Sequence, residues 1–264
     1  MKVGFIGTGN MGGAILRGYV AAEKGREKDV YAFDALESAL DKVVSETGVN
    51  KCASNSEVVD NSDLVLFAVK PIFFAKMFES VKDSVRKDQI FVSIVASVDI
   101  EELESFLGKD AKIVRVMPNT PAMVGMGMAS LSRNANISDE EMAVVKGIFD
   151  AIGKSEEVEE RLIPAVTALS GSSPAYVYMF IEALADAGVE AGMPRDKAYK
   201  FAAQAVKGSA EMVLETGLHP GALKDMVCSP GGITIEAVRV LEAKGMRSAV
   251  FDGALAAANF NAQK

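Results

Sequence analysis

A single histidine, His219, serves the whole 264-residue chain. No serine elbow accompanies it, and there is no H-x-E or C-x-x-C set, so hydrolysis by a triad and metal-assisted chemistry are poorly supported. His219 precedes Pro220-Gly221 and is expected to cap or flank a helix rather than to catalyse. The two cysteines, Cys52 and Cys228, lack the spacing of a zinc site or a redox pair and read as reduced cytosolic thiols, with a bridge between them as the alternative. Positive charge is also short. Lys and Arg number 28 against 36 Asp and Glu, a formal charge of −8, which argues against nucleic acid or an anionic membrane as the main partner. An anionic ligand would therefore have to be held by local geometry. Long apolar runs are missing as well: residues 162–188 come nearest to bilayer length, but Ser170-Gly-Ser-Ser-Pro174 breaks them. With a first strand beginning at residue 2 and no charged n-region before an apolar stretch, a cytoplasmic protein is expected.

What is present is organised around the first twelve residues. Residues 2–6 read as a short buried strand, and residues 14–22 as a helix. Between them Gly7, Gly9 and Gly12 fall in G-x-G-x-x-G spacing. Gly7 would allow a tight turn, Gly9 would leave bare backbone against a pyrophosphate, and Gly12 would let the helix lie close to the strand. The helix N-terminus then offers unpaired N–H groups and a positive dipole end to the phosphates. A second strand, 30–33, ends at Asp34, which lies 34 − 12 = 22 residues after Gly12, near the spacing of the acid that accepts from ribose hydroxyls. Asp34 would also serve as an N-cap for a helix over 36–46. No Arg or Lys stands among Ala35, Leu36 and Glu37, so a 2′-phosphate is disfavoured and NADH is preferred to NADPH.

With 49% hydrophobic and 24% charged residues, the chain is an ordinary globular protein, long enough for one large or two modest domains. A helix over 54–61, with Ser54 and Glu57 in capping-box spacing, precedes a continuous apolar run at 64–69, as expected of a strand buried on both faces. Pro71 opens a helix over 72–85. Strands follow at 90–94 and 112–117, with an added edge strand at 127–132. Asp99-x-x-Glu102 caps a helix to 107, and Ser138-x-x-Glu141 caps one to 152. Alternating strands and helices with short links predict a doubly wound parallel sheet. Gly7, Asp34, Lys70, Val95 and Pro118 all fall at carboxyl ends of strands, where such sheets bind ligands.

After 154–158 the pattern changes. Helices are expected over 174–191, 194–215, 220–227, 234–244 and 247–259, with no further strand. The division is therefore drawn as a dinucleotide-binding domain over 1–160 and a helical domain over 161–264. Small residues recur on the helices, including Ala183, Ala185, Ala187, Gly188 and Ala191, and Ala254 to Ala258. Close helix approach between two copies would bury more apolar surface than one copy alone, so a homodimer through this half is favoured.

Three stretches could carry chemistry. Ala68-Val-Lys-Pro71 places a lysine at a strand end, within reach of ribose or substrate, although a solvated loop lysine is the plain alternative. Arg115 to Pro121 is stiffened by two prolines and offers Asn119 and Thr120. It serves equally well as a structural turn, with Arg115 in an ion pair. Ser229-Pro-Gly-Gly-Ile-Thr234 leads into a helix, and its two glycines can expose successive N–H groups as a nest for a carboxylate. On physics alone, an ordinary loop ending in a cap is the better account of it.

Taken together, Gly-Thr-Gly-Asn-Met-Gly12, Ala-Val-Lys-Pro71, Arg-Val-Met-Pro-Asn-Thr-Pro121, Leu-Ser-Gly-Ser-Ser-Pro-Ala-Tyr176 and Leu-Lys-Asp-Met-Val-Cys-Ser-Pro-Gly-Gly-Ile-Thr-Ile235 resemble the pyrroline-5-carboxylate reductase family, in order and from residue 2 to about 250. The resemblance implies a Rossmann-type doubly wound sheet followed by an all-helical dimerisation domain. It also implies reduction of the cyclic imine to L-proline with NADH or NADPH, the last step of proline synthesis. Dimers, often gathered into decamers, would form the site between subunits. Ile6, Gly7, Thr8, Gly9, Asn10, Met11 and Gly12, with Ala68, Val69, Lys70 and Pro71, would hold the cofactor. Asn55 would lie near the nucleotide, and Val95 and Ala96 near the nicotinamide. Ser229, Gly231, Gly232 and Thr234 would hold the substrate carboxylate and ring, with Ser229 and Thr234 as the catalytic pair.

The chain departs from the family pattern at several positions. Met226 stands where Asn or Gln is usual, Ser173 replaces a glycine, Ile233 replaces a small residue or threonine, and Val95-Ala-Ser97 is poorer in glycine. Two other classes fit parts of the sequence. A 3-hydroxy acid dehydrogenase would need a lysine on a later helix, for which Lys197 and Lys207 are available, but it leaves Ser229–Thr234 unexplained. A non-catalytic nucleotide sensor would need only the first half.

Overall fold

The computed structural model describes residues 1–260, so the last four residues of the expected helical domain lie outside the described residues. Two compact units divide the chain, one from Met1 to Gly171 and one from Ser172 onward.

The first unit is built on one eight-stranded sheet of order β3-β2-β1-β4-β5-β6-β7-β8. Its strands are β1 (Val3–Ile6), β2 (Val30–Phe33), β3 (Asn50–Lys51), β4 (Leu64–Phe67), β5 (Ile90–Ser93), β6 (Lys112–Met117), β7 (Gly127–Arg133) and β8 (Gly153–Glu157). Around them run α1 (Asn10–Ala21), α2 (Glu37–Thr47), α3 (Asn55–Asp60), α4 (Pro71–Glu79), α5 (Ile100–Leu107), α6 (Asp139–Asp150) and the single turn α7 (Ile163–Val166). The chain order reverses between β1 and β4, which is the switch point of a doubly wound sheet. Register aligns the carboxyl ends: Ile6 lies opposite both Phe33 and Phe67, and Phe67 lies opposite Ser93. Gly7, Asp34, Ala68 and Ile94 are therefore the next residues out along a single edge.

Alternation along the strands sends side chains into two cores, one on each face. Leu64 and Leu66 join Val3, Phe5, Val92 and Val114 on one side, while Val65 and Phe67 join Ile6, Phe91 and Ile113 on the other. The second face carries a chain of ring contacts. Phe67 stacks on Phe91 at 5.9 Å and meets Phe74 edge-on at 5.9 Å, and Phe106 meets Phe74 at 5.4 Å. Each fully buried ring contributes about 1.5–3 kcal/mol from burial.

The first unit differs from the sequence expectation in several respects, beginning with the short strand β3, which no sequence signal marks. Strand β7 is not an edge, because β8 pairs with it in parallel beyond. The polar run Gly-Lys-Ser-Glu-Glu hides that strand: only Ser155 is buried, its hydroxyl donating to Asp150 at 2.6 Å. The sheet is also not wholly parallel, since β6 and β7 are antiparallel. Helix α4 ends at Glu79, short of the expected 85, and turns continue from there to β5. The helix-start signals are clearer. Ser138 and Glu141 form a full capping box, and Asp99 accepts from Glu102 N at 2.8 Å. Ser54 caps α3, but the Glu57 carboxylate returns to Ala53 N, one residue before the cap.

Residues 160–171 belong to the first unit through specific tethers. Glu160 Oε1 accepts from Ile100 N and from Arg115 Nη1, both at 2.8 Å. Asn119 Nδ2 donates to Ser170 O and Oγ at 3.2 and 3.1 Å, within a π-helical turn over Thr167–Ser172. Arg115 thus makes the ion pair that was the structural alternative for it.

The second unit consists of α8 (Ser173–Glu190), α9 (Arg195–Thr216), α10 (Pro220–Val227), α11 (Ile233–Ala243) and α12 (Met246–Phe260). Among its described residues there is no strand. Its small buried cluster is Ala185, Ala198 and Ala202, edged by Ile181, Val189 and Met193. Alanine at these positions lets α8 and α9 approach closely, and a Cβ on Gly188 would already touch Ala198 at 3.4 Å. His219 is the N-cap of α10, and its Nδ1 accepts from Gly221 N at 3.0 Å. No helix among the described residues is long and apolar enough to cross a membrane.

Candidate active site

The glycine turn between β1 and α1 uses each glycine for a different reason. Gly7 has φ +99°, and a Cβ there would lie 2.6 Å from Ala68 O. Its N–H donates to Phe33 O at 2.9 Å, while Ala68 N donates to Ile6 O at 2.8 Å, so the turn is locked to β2 on one side and β4 on the other. Gly12 sits beneath it, where a Cβ would fall 2.2 Å from Gly7 O and 2.8 Å from Ala68 Cβ. Gly9 is different: nothing lies within 4 Å of the position its Cβ would take. It is the N-cap of α1, a helix with no side-chain cap and no acid in its first turn. The N–H groups of the first turn are thus unclaimed by any side chain, beside open space that a Cβ would fill. That is the arrangement a pyrophosphate needs, so the residues present fit a dinucleotide.

Asp34 stands next to this turn. Its Oδ2 accepts from Thr8 N at 2.6 Å and Thr8 Oγ1 at 3.3 Å, and its Oδ1 accepts from Leu36 N at 2.8 Å. The expected N-cap role is corrected. Leu36 occupies the N-cap of α2, and Asp34 closes a local turn two residues earlier. The carboxylate instead ties β2 to the glycine turn. The cations bonded along α2 are engaged with its acids: Lys51 with Asp41 at 2.6 Å and Arg17 with Glu46 at 2.5 Å.

The remaining first-unit candidates spread along the same edge. Ile6 is buried, Asn10 is exposed and Met11 packs partly into the core. Ala68 and Val69 are half-buried beside Gly7 and Gly12, whereas Lys70 is exposed at the N-cap of α4 and Pro71 is its first residue. Val95 is buried and Ala96 exposed after β5. Asn55 opens α3, and its Nδ2 donates to Ser80 Oγ at 2.9 Å rather than to the glycine turn. Asn119 is fully engaged, since its Oδ1 accepts from Met128 N at 2.9 Å while its Nδ2 holds Ser170.

In the second unit, Ser229–Thr234 forms a tight turn into α11. Gly232 N donates to Ser229 O at 3.0 Å, and Gly231 takes φ +68°. Gly232 is the N-cap, with no side-chain cap on the helix, and the Ser229 Oγ occupies the space beside it, 2.3 Å from where a Cβ would be. Ser229 and Gly231 are exposed, Thr234 is half-buried in the first turn, and the Ile233 side chain is 91% exposed. The turn gathers a serine hydroxyl, a threonine hydroxyl and uncapped N–H groups within six residues, a set suited to a small carboxylate. Met226 is exposed on α10, and Lys197 and Lys207 are both exposed on α9.

Known proteins match this chain over nearly its whole length. Residues 2–97 match a family model described as NADP oxidoreductase, coenzyme F420-dependent, and residues 160–264 match one described as pyrroline-5-carboxylate reductase dimerisation. The pyrroline-5-carboxylate reductase of Escherichia coli (strain K12) is 51% identical over 95% of this chain and 93% of its own. The chain belongs to the pyrroline-5-carboxylate reductase family. Solved structures agree. A pyrroline-5-carboxylate reductase from Coxiella burnetii superposes with a TM-score of 0.92 at 33% identity, covering 98% of this chain and 96% of that one. The Plasmodium falciparum pyrroline carboxylate reductase with NADP bound gives 0.86 at 34% identity, again covering 98% and 96%. The fold is accordingly a Rossmann-like sheet followed by a helical dimerisation domain.

Proposed function

We propose that the chain reduces 1-pyrroline-5-carboxylate to L-proline with NADH or NADPH, the last step of proline biosynthesis. The observation that carries this is the pair of glycine N-caps, Gly9 on α1 and Gly232 on α11, each opening a helix with no side-chain cap. One suits a pyrophosphate and the other a small carboxylate, so a dinucleotide and an amino-acid-like acceptor each have a seat. A nucleotide sensor would have no use for the second turn. A 3-hydroxy acid dehydrogenase would need a lysine in the site, and Lys197 and Lys207 sit in no motif of that kind.

Residues 1–160 are assigned to the dinucleotide and residues 161–264 to substrate and dimerisation. Ile6 to Gly12 would hold the pyrophosphate, with Ala68 to Pro71, Asn55, Val95 and Ala96 along the rest of the cofactor. When bound, the reduced nicotinamide supplies the hydride. The protein's own task is orientation, because a cyclic imine protonates readily near neutral pH and the iminium already accepts hydride well. Ser229, Gly231 and Gly232 would fix the carboxylate. The Thr234 hydroxyl would hydrogen-bond near the ring nitrogen and hold its proton in place. No poised histidine or carboxylate is required.

NADH is proposed as the preferred cofactor. Asp34 is held beside the turn by Thr8 and Leu36, where its charge opposes a 2′-phosphate, and the nearby Lys51 and Arg17 are already paired with acids. A homodimer through the second unit is supported by the dimerisation-family match and by the apolar side chains exposed on α8, α9 and α12, and a decamer built from such dimers is proposed beyond it. A cytoplasmic location fits the two free cysteines.

The test is Thr234→Ala in the purified protein. Turnover is expected to fall by roughly 10²-fold, the scale of a lost hydrogen-bonding group acting in the transition state, with the melting temperature nearly unchanged. Undiminished turnover in a well-folded variant would remove Thr234 from the mechanism.

A further inference from the structure

We propose that the first unit carries a second ligand site, at the amino ends of β5 and β6, which takes an aryl carboxylate. The site is a cavity of about 390 Å³, a size ordinary for small-molecule pockets. It opens between the turns that follow α4 and the loop that follows α5. Residues 85–87 precede β5 and residues 107–111 precede β6, so the cavity lies at the opposite end of the strands from Gly7 and Asp34. The proposed reduction makes no use of it.

Side-chain amides fix both walls. Gln89, fully buried, accepts from Arg86 N at 2.8 Å and donates to Val59 O and Ser62 O, both at 2.8 Å. The Arg86 guanidinium adds a bond to Ser62 O at 2.9 Å. Across the cavity, Gly108 takes φ +95° at the end of α5. There Asn136 Nδ2 donates to Lys109 O at 2.8 Å and to Ala111 O at 2.9 Å, and Asn134 Nδ2 also reaches Ala111 O at 2.9 Å. Loops pinned in this way hold the cavity open by themselves, so binding costs little ordering.

The lining identifies the ligand. Phe78 and Phe106 meet at 5.1 Å and form an apolar wall, with Phe106 only half-buried. A ring laid against them would find the offset or edge contacts that aromatic pairs favour. Around this wall stand four cations, Lys82, Arg86, Lys87 and Lys109, against the single lining acid Asp110, on a chain of net charge −8. Three of the four are paired: Lys82 with Glu79 at 2.7 Å, Arg86 with Asp88 at 3.4 Å and Lys87 with Asp110 at 3.6 Å. Lys109 has no ionic partner among the described residues, which leaves one uncompensated positive charge. One charge beside an aromatic wall matches a ring that carries a single negative charge, hence a carboxylate rather than a doubly charged phosphate.

The experiment titrates the full-length protein by calorimetry with phenylbutyrate, and in parallel with phenylbutanol, acetate and phenyl phosphate. It is run on the native, Lys109→Glu and Thr234→Ala forms. Lys109 is exposed, and its side chain bonds nothing in the described fold, so Lys109→Glu should melt as the native protein does. Phenylbutyrate is expected to bind the native protein with a Kd on the order of 1 mM, the scale for a ligand of about a dozen heavy atoms. Removing the charge, either by phenylbutanol or by Lys109→Glu, should weaken binding roughly tenfold, the worth of one charged hydrogen bond. Acetate should not bind, and Thr234→Ala should bind phenylbutyrate as the native protein does. No saturable binding by the native protein, or equal affinity in Lys109→Glu, would overturn the site. Binding lost in Thr234→Ala but kept in Lys109→Glu would put the probe on the second unit and overturn it equally. Phenyl phosphate binding more tightly than phenylbutyrate would overturn the choice of a carboxylate.

Discussion

The two units solve the problem of burying apolar side chains in opposite ways. The first closes on itself: Phe5, Phe67, Phe74, Phe91 and Phe149 are almost wholly inaccessible, shared between the two faces of the sheet. The second buries alanines and leaves its large side chains outside, with Phe201 and Phe251 each 67% exposed and Leu214 75%. Monomeric proteins rarely leave apolar patches of that kind open to water. The sheet unit thus carries two large cores of its own, whereas the buried cluster of the helical unit is three alanines. The family whose model covers residues 160–264 is described by dimerisation, which is the step that would complete it.

If that contrast is right, substitutions in the two units should fail differently. The largest effect is expected from Phe201→Asp combined with Phe251→Asp. Light scattering should show the assembled form replaced by single chains, with helical circular dichroism retained. An unchanged mass would mean that these faces are not covered by a second copy. In the first unit, Phe91→Ala removes a ring stacked on Phe67, and denaturant unfolding should show a loss of about 3–5 kcal/mol, with the mass unaltered. A loss under 1 kcal/mol would show that this face of the sheet is looser than its burial implies.

A smaller effect concerns acid. Burial raises the Glu141 carboxyl pKa, but hydrogen bonds from Lys112 and from Ser138 N outweigh it and hold the group below its ordinary value of 4.5. A depressed carboxylate contributes stability above its unfolded pKa and loses it as pH falls through the folded one. The native protein should therefore lose about 1 kcal/mol of capping stability as pH drops below roughly 4.5, and Glu141→Gln should lack that component. Identical acid profiles for the two proteins would exclude it.

Much of this was legible beforehand where one local rule decides. The glycine spacing, the apolar run at 64–69 and the capping pairs at Asp99 and Ser138 each name an element from a few adjacent residues. The errors lie where distant partners decide. The polar β8 is a strand only because β7 offers it a ladder, so the sequence pattern alone predicts β7 as an edge. Asp34 has the composition of an N-cap, but Thr8, 26 residues away, draws its carboxylate to the glycine turn. The hydrogen bonds of Glu160 and Asn119 also join sequence-distant groups, Ile100 and Arg115 for the one and Ser170 for the other. For the site, the glycine turn was readable as chemistry from its spacing, whereas Ser229–Thr234 gained meaning only through the family resemblance.

The most direct test of the account is a single spectrophotometric experiment. The purified protein is mixed with pyrroline-5-carboxylate and either NADH or NADPH, and the reduced-nicotinamide absorbance is followed while L-proline is measured. The account predicts loss of absorbance matched one-to-one by proline, faster with NADH than with NADPH at equal low concentration. A strong preference for NADPH would overturn the role given to Asp34, and no absorbance change with either cofactor would contradict the proposed reaction itself.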